Sequence, residues 1–224
     1  LRSNRRREPI NGVIITVAAD SLVSRPVDKL KEQAAQLRER LDEMAHRLGV
    51  RFPVYLAVGK CDLIAGFNEF WTALPDQEKG QALGHVNSDA VANADAGRFF
   101  DRAFRTICER AERLRLGLIY DQERADAARA MFLFPAELKS LHSPLKAFVD
   151  VLFRPSPYRD MPFFRGFFFT SARQAGAPWS RLARLLALNY AQASPKGASR
   201  DMFMRDLFSV ILPGDRALAG STSL

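Results

Sequence analysis

The residues with the clearest potential for chemistry lie in short polar sequences that directly follow apolar, strand-like runs. Lys60 and Asp62 follow the run PVYLAVG, and Ser171 and Ala172 follow the run FFRGFFFT. A Gly-Lys pair after a strand can belong to a phosphate-binding loop, whereas Lys-x-Asp can belong to a loop that recognises a nucleotide base. A third interpretation is a purely structural strand end in which Asp62 caps the next helix.

The phosphate-binding interpretation fails on the spacing of the residues. A P-loop requires G-x-x-x-x-G-K-[ST], because glycine amides surround the phosphates and the final hydroxyl binds Mg²⁺. Val54 stands where the first glycine is needed, and Cys61, a poor ligand for Mg²⁺, stands where Ser or Thr is needed. No other segment matches the motif. We therefore expect the chain to have no phosphate-binding loop of its own and, alone, not to hydrolyse nucleotide.

The base-recognition interpretation fits better. In GTP-binding folds, [NT]-K-x-D ends one strand and a Ser-Ala-Lys-like sequence ends the next, and both contact the base. Here Gly59 replaces the Asn or Thr of the first motif, and Arg173 replaces the lysine of the second. The carboxyl ends of the strands are where open α/β sheets bind ligands. The predicted base-side nucleotide site consists of Lys60, Asp62, Ser171 and Ala172. The structural strand end remains the alternative.

Other chemistries have no support in the sequence. His46, His85 and His142 share no ligand spacing, so no metal site is predicted. Cys61 and Cys108 are far apart and belong to no C-x-x-C pair, which favours free thiols over a disulfide or a zinc site. There is no G-x-S-x-G motif, and the carboxylates are scattered. No catalytic residue is therefore predicted.

Composition narrows the class of partner. The 224 residues carry a formal charge of +8 and are 47% hydrophobic, as expected for a folded globular chain. A basic balance suits nucleic acid, an anionic membrane or an acidic protein. No basic stripe interleaved with aromatic residues is present, so we do not predict nucleic-acid binding. The arginine-rich start (Arg2, Arg5, Arg6, Arg7) keeps a membrane surface as an alternative. No run approaches a membrane span, and no signal peptide is predicted.

The candidate residues need strands to position them. Residues 9–20 form a short apolar run that predicts a buried strand. A helix is predicted from Val27 to Leu48, with Ser24 as its N-cap and Gly49 as its stop. The run FPVYLAVGKCD predicts the next strand, which completes a βαβ unit with parallel strands and a right-handed crossover. Residues 163–172 predict the third strong strand.

The remaining segments are predicted to be mainly helical. Pro75 divides a short aromatic helix, AMFLFP predicts a brief strand or an entry to a helix, and Pro144 breaks or kinks the helix that follows. Helices are also predicted over residues 99–115, 118–130, 178–191 and 200–212. Together the elements predict an α/β fold: a partial doubly wound, mostly parallel sheet with a helical insert (about 64–130) and a helical C-terminal extension.

Several blocks of the sequence resemble one family in consistent order over nearly the whole chain. They are RRREPINGVIITV, LGVRFPVYLAVGKCDLIAGFNEFW, LFPAELKSL, FRPSPYRDMPFFRGFFFTSARQAG and RDMFMRDLFSVILP. Together they resemble the IcmF/TssM family, which comprises large inner-membrane proteins of bacterial type VI secretion systems. The residues that match a further family pattern are Phe153, Pro155, Tyr158, Arg165, Gly166, Thr170 and Ser171, and Lys60 and Asp62 match the family's K-x-D loop.

The resemblance implies a fold and a role. It implies that residues 1–193 are the C-terminal half of a P-loop GTPase-like domain and that residues 194–224 are a helical extension with a frayed tail. It implies a structural and interaction module at the cytoplasmic face of the inner membrane, with membrane-complex and baseplate proteins of the secretion system as partners. The alternative is part of an active GTP- or ATP-hydrolysing domain whose P-loop lies upstream, where the membrane segments also lie outside this chain.

The same resemblance implies an open sheet edge. The strand of the phosphate-binding loop would flank the strand GVIITV, and without it that edge has unpaired backbone groups. We predict that this edge is bare, covered by the N-terminal segment, or paired with a second copy of the chain. Self-association through the edge is therefore an expected outcome.

Overall fold

The protein is described by a computed structural model that covers residues 10–88, 95–155, 163–171, 178–182 and 203–221. The arginine-rich start, Ala172, Arg173 and most of the helix predicted over residues 178–191 lie outside the described residues. The strands are β1 (Val13–Ala18), β2 (Val50–Arg51), β3 (Pro53–Gly59), β4 (Leu83–Val86), β5 (Phe163–Phe169) and β6 (Gly220–Ser221). The helices are α1 (Ala19–Ser24), α2 (Val27–Leu48), α3 (Phe67–Ala73), α4 (Asp76–Lys79), α5 (Ala96–Tyr120), α6 (Ala125–Ser140), α7 (His142–Leu152) and α8 (Leu212–Gly214). A π-helical turn at Leu207–Ile211 precedes α8, and short 3-10 turns lie at Cys61–Leu63 and Arg216–Leu218.

The main sheet has four strands in the order β1-β3-β5-β4. Strands β1, β3 and β5 are parallel, and β4 runs antiparallel to β5. This arrangement confirms the predicted α/β fold with a mostly parallel sheet. Strands β2 and β6 form a separate antiparallel pair.

Strand β4 lies within residues that the sequence predicted to be helical, and that prediction was wrong for Leu83–Val86. The strand has four residues, all half-buried, so its sequence shows no clear alternation of apolar and polar residues from which a strand could be predicted. Its packing requires Gly84, because a Cβ there would lie 2.1 Å from Phe168 Cδ1 on β5. Phe168 also crosses Gly166, where a Cβ would lie 2.5 Å from the same ring.

Strand β1 lies at the edge of the sheet, as predicted. Within the part of the chain that the structure describes, it pairs only with β3, from Val13 opposite Val54 to Ala18 opposite Gly59. Its residues Ile15 and Val17 are buried on the helical face, whereas Thr16 is exposed on the other face. The edge is therefore open among the described residues.

Helix α2 ends where the sequence predicted but begins differently. Gly49 is its C-cap with φ 63°, and the Gly49 amide donates to the Ala45 carbonyl at 2.9 Å. Ser24 is not its N-cap, because residues 19–24 already form helix α1 and Ser24 ends it. Pro26 is the cap residue, and its side chain has no hydrogen-bonding group to donate or accept.

The segment AMFLFP was predicted to be a brief strand or a strand-like entry to a helix, and both alternatives were wrong because it is helical and lies inside α6. Its apolar residues recur at helical spacing with their neighbours on α6, and this period buries one side of the helix. The buried apolar residues of α6 are Ala127, Ala130, Met131, Phe134, Pro135 and Leu138. Pro144 lies in the first turn of α7, where its missing amide has no intrahelical partner.

The core lies between the sheet and the long helices. One face of the sheet packs Val54, Leu56 and Val58 against α2, α5 and α7. Aromatic rings join α5 to β5: Phe99 meets Phe164 at 5.0 Å and Phe100 meets Phe167 at 5.1 Å between centroids, both edge to face. Edge-to-face contacts of this kind stabilise the fold beyond the free energy gained by burying the rings.

The second face of the sheet is covered by the C-terminal segment, residues 203–221. Leu207 packs against Tyr55 and Phe168, which point away from the main core. The guanidinium of Arg165 binds both carboxylate oxygens of Asp215 at 2.8 Å, and the Tyr55 hydroxyl donates to Asp215 at 2.7 Å. Asp215 is therefore the polar anchor that fixes this segment to β3 and β5.

Replacing Gly66 with alanine should destabilise the fold. Gly66 has φ 84°, and a Cβ there would lie 2.2 Å from the Ala130 carbonyl oxygen on α6. We expect a loss of at least about 2 kcal/mol in the free energy of unfolding, measured by denaturant titration. Gly59→Ala is the control, because no atom lies within 4 Å of its built Cβ and its φ is not positive. Equal stability of the two variants would contradict the packing.

Asp215→Asn should change the stability in acid. Burial alone would raise the pKa of Asp215, but hydrogen bonds from Arg165 and Tyr55 outweigh it and hold the pKa below its ordinary value of 3.8. The stabilisation is therefore present above about pH 4 and is lost as the pH falls through the lowered pKa. We expect Asp215→Asn to show a shallower loss of stability between about pH 4.5 and 2.5 than the original chain. Glu39→Gln, at an exposed carboxylate, should leave the slope unchanged.

Candidate functional site

The predicted site lies at the carboxyl ends of the parallel strands. Strand β3 ends at Gly59, and Lys60 follows in the left-handed conformation, with φ 56° and ψ 34°. Only a few non-glycine residues adopt this region, so the turn is held by its surroundings. The Cys61 amide donates to the Thr170 carbonyl at 3.4 Å, and the Thr170 amide donates to Val58 at 2.8 Å. These bonds continue the pairing of β3 and β5 beyond the strands.

Asp62 and Ser171 are brought together as predicted. They are 109 residues apart in sequence, and both are buried. The Asp62 amide donates to Ser171 Oγ at 3.2 Å, and Ser171 Oγ donates in turn to Asp62 Oδ1. A nucleotide base would have to share the Asp62 carboxylate with the hydroxyl of Ser171.

Lys60 contacts a residue that the sequence analysis did not single out. Its Nζ lies 3.5 Å from Asp20 Oδ2, directly after β1, and both side chains are more than a third exposed. Such an exposed ion pair contributes at most about 1 kcal/mol to the free energy of unfolding. Its geometry matters more, because this pair joins the ends of β1 and β3, just as Asp62 and Ser171 join the ends of β3 and β5. The position of Asp20 at the end of the first strand was the available signal.

Gly59 leaves room for the side chain that the base-recognition motif requires. Its φ is not positive, and a Cβ built on it meets no atom within 4 Å. An Asn or Thr would therefore fit at this position. Ala172, the fourth predicted base-side residue, lies outside the described residues.

Cys61 has no chemical role in this arrangement. The thiol is fully buried and donates to the Val58 carbonyl at 3.1 Å. Burial raises its pKa far above the usual range, so the thiol remains protonated and is a poor nucleophile. Among the described residues, no group of three or more His, Cys, Asp or Glu side chains could bind a metal ion.

A second strand-like contact closes the loop after Asp62. The Trp179 amide donates to the Leu63 carbonyl at 2.7 Å, and the Ala65 amide donates to the Trp179 carbonyl at 2.9 Å. This bridge brings residues 178–182 beside the turn. It therefore fixes the loop between Leu63 and Ala65.

Glu137 on α6 fixes residues 178–182 in turn, and the sequence analysis missed it. Its carboxylate is fully buried and accepts hydrogen bonds from the Arg181 amide at 2.9 Å and the Leu182 amide at 3.2 Å. The Ser180 hydroxyl donates to it as well. These hydrogen bonds satisfy the buried carboxylate. Glu137 thus extends the bracing of the site from the sheet to the helical layer.

The chain is similar to known proteins over nearly its whole length. Residues 1–223 match the family described as the IcmF-related N-terminal domain. The chain is also 32% identical, over 229 aligned residues, to a protein of Pseudomonas aeruginosa strain PAO1 described as type VI secretion system component TssM1. That alignment covers 99% of this chain and 21% of the relative, so the chain spans about a fifth of its length. The comparison with solved structures gave no match.

Ser171→Ala should lower the stability of the fold, and it alters no exposed side chain because Ser171 is buried. The substitution removes the hydroxyl that accepts from the Asp62 amide and donates to the Asp62 carboxylate. We expect a loss of about 1–3 kcal/mol in the free energy of unfolding, because both groups are buried. Ser24→Ala, at the exposed end of α1, serves as the control and should change stability by less than about 0.5 kcal/mol. A neutral Ser171→Ala would show that this contact does not stabilise the strand ends.

Proposed function

The chain belongs to the IcmF-related N-terminal domain family, and from that premise we propose that it is a structural and interaction module of a type VI secretion membrane complex. Its place would be the cytoplasmic face of the bacterial inner membrane, with membrane attachment through segments outside this chain. The described helices include none with the length and hydrophobicity to cross a bilayer. Its partners would be other membrane-complex and baseplate proteins of the secretion system.

One observation carries the structural role. The polar residues at the carboxyl edge bond to each other: Asp62 to Ser171 across β3 and β5, and Lys60 to Asp20 across β3 and β1. Each contact joins the ends of two neighbouring strands. The residues that would bind a base therefore already hold the strand ends together. The P-loop motif is absent from this sequence, and the phosphate cradle supplies much of the affinity for a nucleotide.

A second candidate function is supported by the position and conformation of Lys60. In this alternative, Lys60, Asp62, Ser171 and Ala172 form the base side of a GTP or ATP site, and the phosphates bind to a P-loop upstream of this chain. The left-handed turn at Lys60 leaves its side chain nearly half exposed, two residues before the buried Asp62. An exposed lysine close in sequence to a buried carboxylate fits the K-x-D pattern of a loop that contacts a base.

The open edge of β1 supports the wider proposal of an NTPase-like domain. A parallel strand added beside Val13–Ala18 would satisfy the outer backbone groups of β1 and cover Thr16 and its neighbours. We propose that this strand comes from the phosphate-binding half of the domain. Pairing of β1 with a second copy of the chain is the alternative, and it would appear as a dimer in solution.

Lys60→Gly separates the two functions in the full-length protein. Glycine favours the left-handed turn, so the fold should be retained while the lysine stem and its ion pair are removed. If the role is structural, the buried contact of Asp62 with Ser171 still joins β3 to β5 after the weaker, exposed ion pair is lost. Binding to purified membrane-complex and baseplate proteins and affinity for GTP and ATP should then stay within about twofold of the original. Calorimetry and pull-down are the two measurements.

The two measurements distinguish the structural module from the base-binding alternative. A loss of GTP or ATP affinity of about tenfold or more in Lys60→Gly, with Lys29→Ala on α2 as an unaffected control, would establish the base-binding alternative. Failure of both this chain and the full-length protein to bind any of the purified secretion components would overturn the structural module.

A further inference from the structure

Helix α5 carries a row of exposed side chains that the proposed site does not use. Its first half presents arginines and its C-terminal half ends in apolar residues. The row consists of Arg98, Arg102, Arg105, Arg113, Leu116 and Tyr120. We call it the α5 ridge. At 1.5 Å per residue it extends for about 33 Å.

The spacing of these residues places them on one line. At 100° per residue they fall within a sector of about 80° around the helix axis. The buried residues of α5, such as Phe100, Ile107 and Ala111, lie on the opposite side against the core. The ridge is therefore the outermost face of α5 and runs straight along it.

The arginine half of the ridge carries an excess of positive charge, with four arginines and one acidic residue, Glu109, on the same face. Within the described ranges, no salt bridge involves Arg98, Arg102, Arg105 or Arg113, although other charged residues near them are paired. Asp101 contacts His142 and Glu112 contacts Lys139, both away from the ridge. Like charges three and four residues apart destabilise an isolated helix. An external group with negative charge would relieve this repulsion.

The other half of the ridge ends in apolar side chains that are mostly exposed to solvent. Leu116 is 65% exposed and Tyr120 is 90% exposed. Phe132 on α6, 53% exposed, lies beside this end with the Arg115 guanidinium 4.7 Å above its ring. Tyr, Phe and Arg are the residue types enriched at the centres of protein interfaces.

We propose that the α5 ridge is the docking surface for an acidic amphipathic helix of a partner protein. Carboxylates along one half of that helix would bind Arg98, Arg102 and Arg105, and its apolar half would cover Leu116 and Tyr120. A straight ridge about one side chain wide matches a helix packed along α5. The phosphates of a nucleic acid carry no apolar group that would cover Leu116 and Tyr120, whereas an amphipathic helix does.

This inference deepens the proposed function, since the partner helix would belong to another secretion component. Its test uses only a synthetic helix and therefore stands apart from the pull-down described above. The probe is a fluorescent helical peptide of the length of α5, with glutamates on one half of one face and leucines on the other half. A scrambled peptide of the same composition is its control.

Binding is measured by fluorescence anisotropy on the 224-residue chain. We expect the patterned peptide to bind about tenfold tighter than the scrambled one. Arg98→Glu with Arg102→Glu and Arg105→Glu should weaken it by at least about tenfold. Leu116→Ala with Tyr120→Ala should weaken it by about threefold to tenfold, and this variant keeps the charge unchanged.

A matched triple reversal on α2 controls for net charge. Lys31→Glu, Arg40→Glu and Arg47→Glu change the charge by the same amount at exposed positions of another helix, and affinity should stay within about threefold. Equal weakening by the two triple variants would overturn the proposal. Equal binding of the scrambled peptide would also overturn it, as would tighter, ridge-dependent binding of a DNA duplex or of phosphatidylglycerol vesicles.

Discussion

Burial of β3 on both faces is the constraint on which the rest of the structure depends. The residues from Pro53 to Val58 are all buried, so β3 needs a packed layer on each side and a paired strand at each edge. Strands β1 and β5 supply the edges, and α2, α5 and α7 supply one layer. Tyr55 faces the other way, and the C-terminal segment covers it only because Asp215 satisfies its hydroxyl. An apolar strand in the centre thus determines where every other element must lie.

The candidate site follows from the same constraint. Parallel strands of similar length end at one edge, so the polar residues after β1, β3 and β5 meet there whatever their separation in sequence. The hydrogen bonds of Asp62 and Ser171 are the local consequence. Glu137 reinforces the arrangement from the helical layer by fixing residues 178–182 beside the turn. The site is therefore held in place by the same contacts that join the ends of the parallel strands.

Much of this architecture could be predicted from sequence, because continuous apolar runs and a strong helical period mark β1, α2, β3 and β5. The pairing of Asp62 with Ser171 was also accessible, since each ends a predicted strand. Strand β4 was not, because four half-buried residues carry too little alternation, and α6 was misjudged where an apolar run ended at a proline. Asp215 and Glu137 were missed for a different reason. Each is an isolated acid whose partners come from distant segments, so only tertiary packing distinguishes it from a surface carboxylate.

The anchor at Asp215 also bears on how the chain folds during synthesis on the ribosome. Tyr55 and Asp215 are 160 residues apart, and β2 pairs with β6 over a similar separation. The sheet can assemble once β5 has been translated, but its second face, with Phe168, stays uncovered until the C-terminal segment emerges. Until then the nascent chain exposes aromatic surface and the open edge of β1 together, which is the combination that chaperones bind in incompletely folded domains.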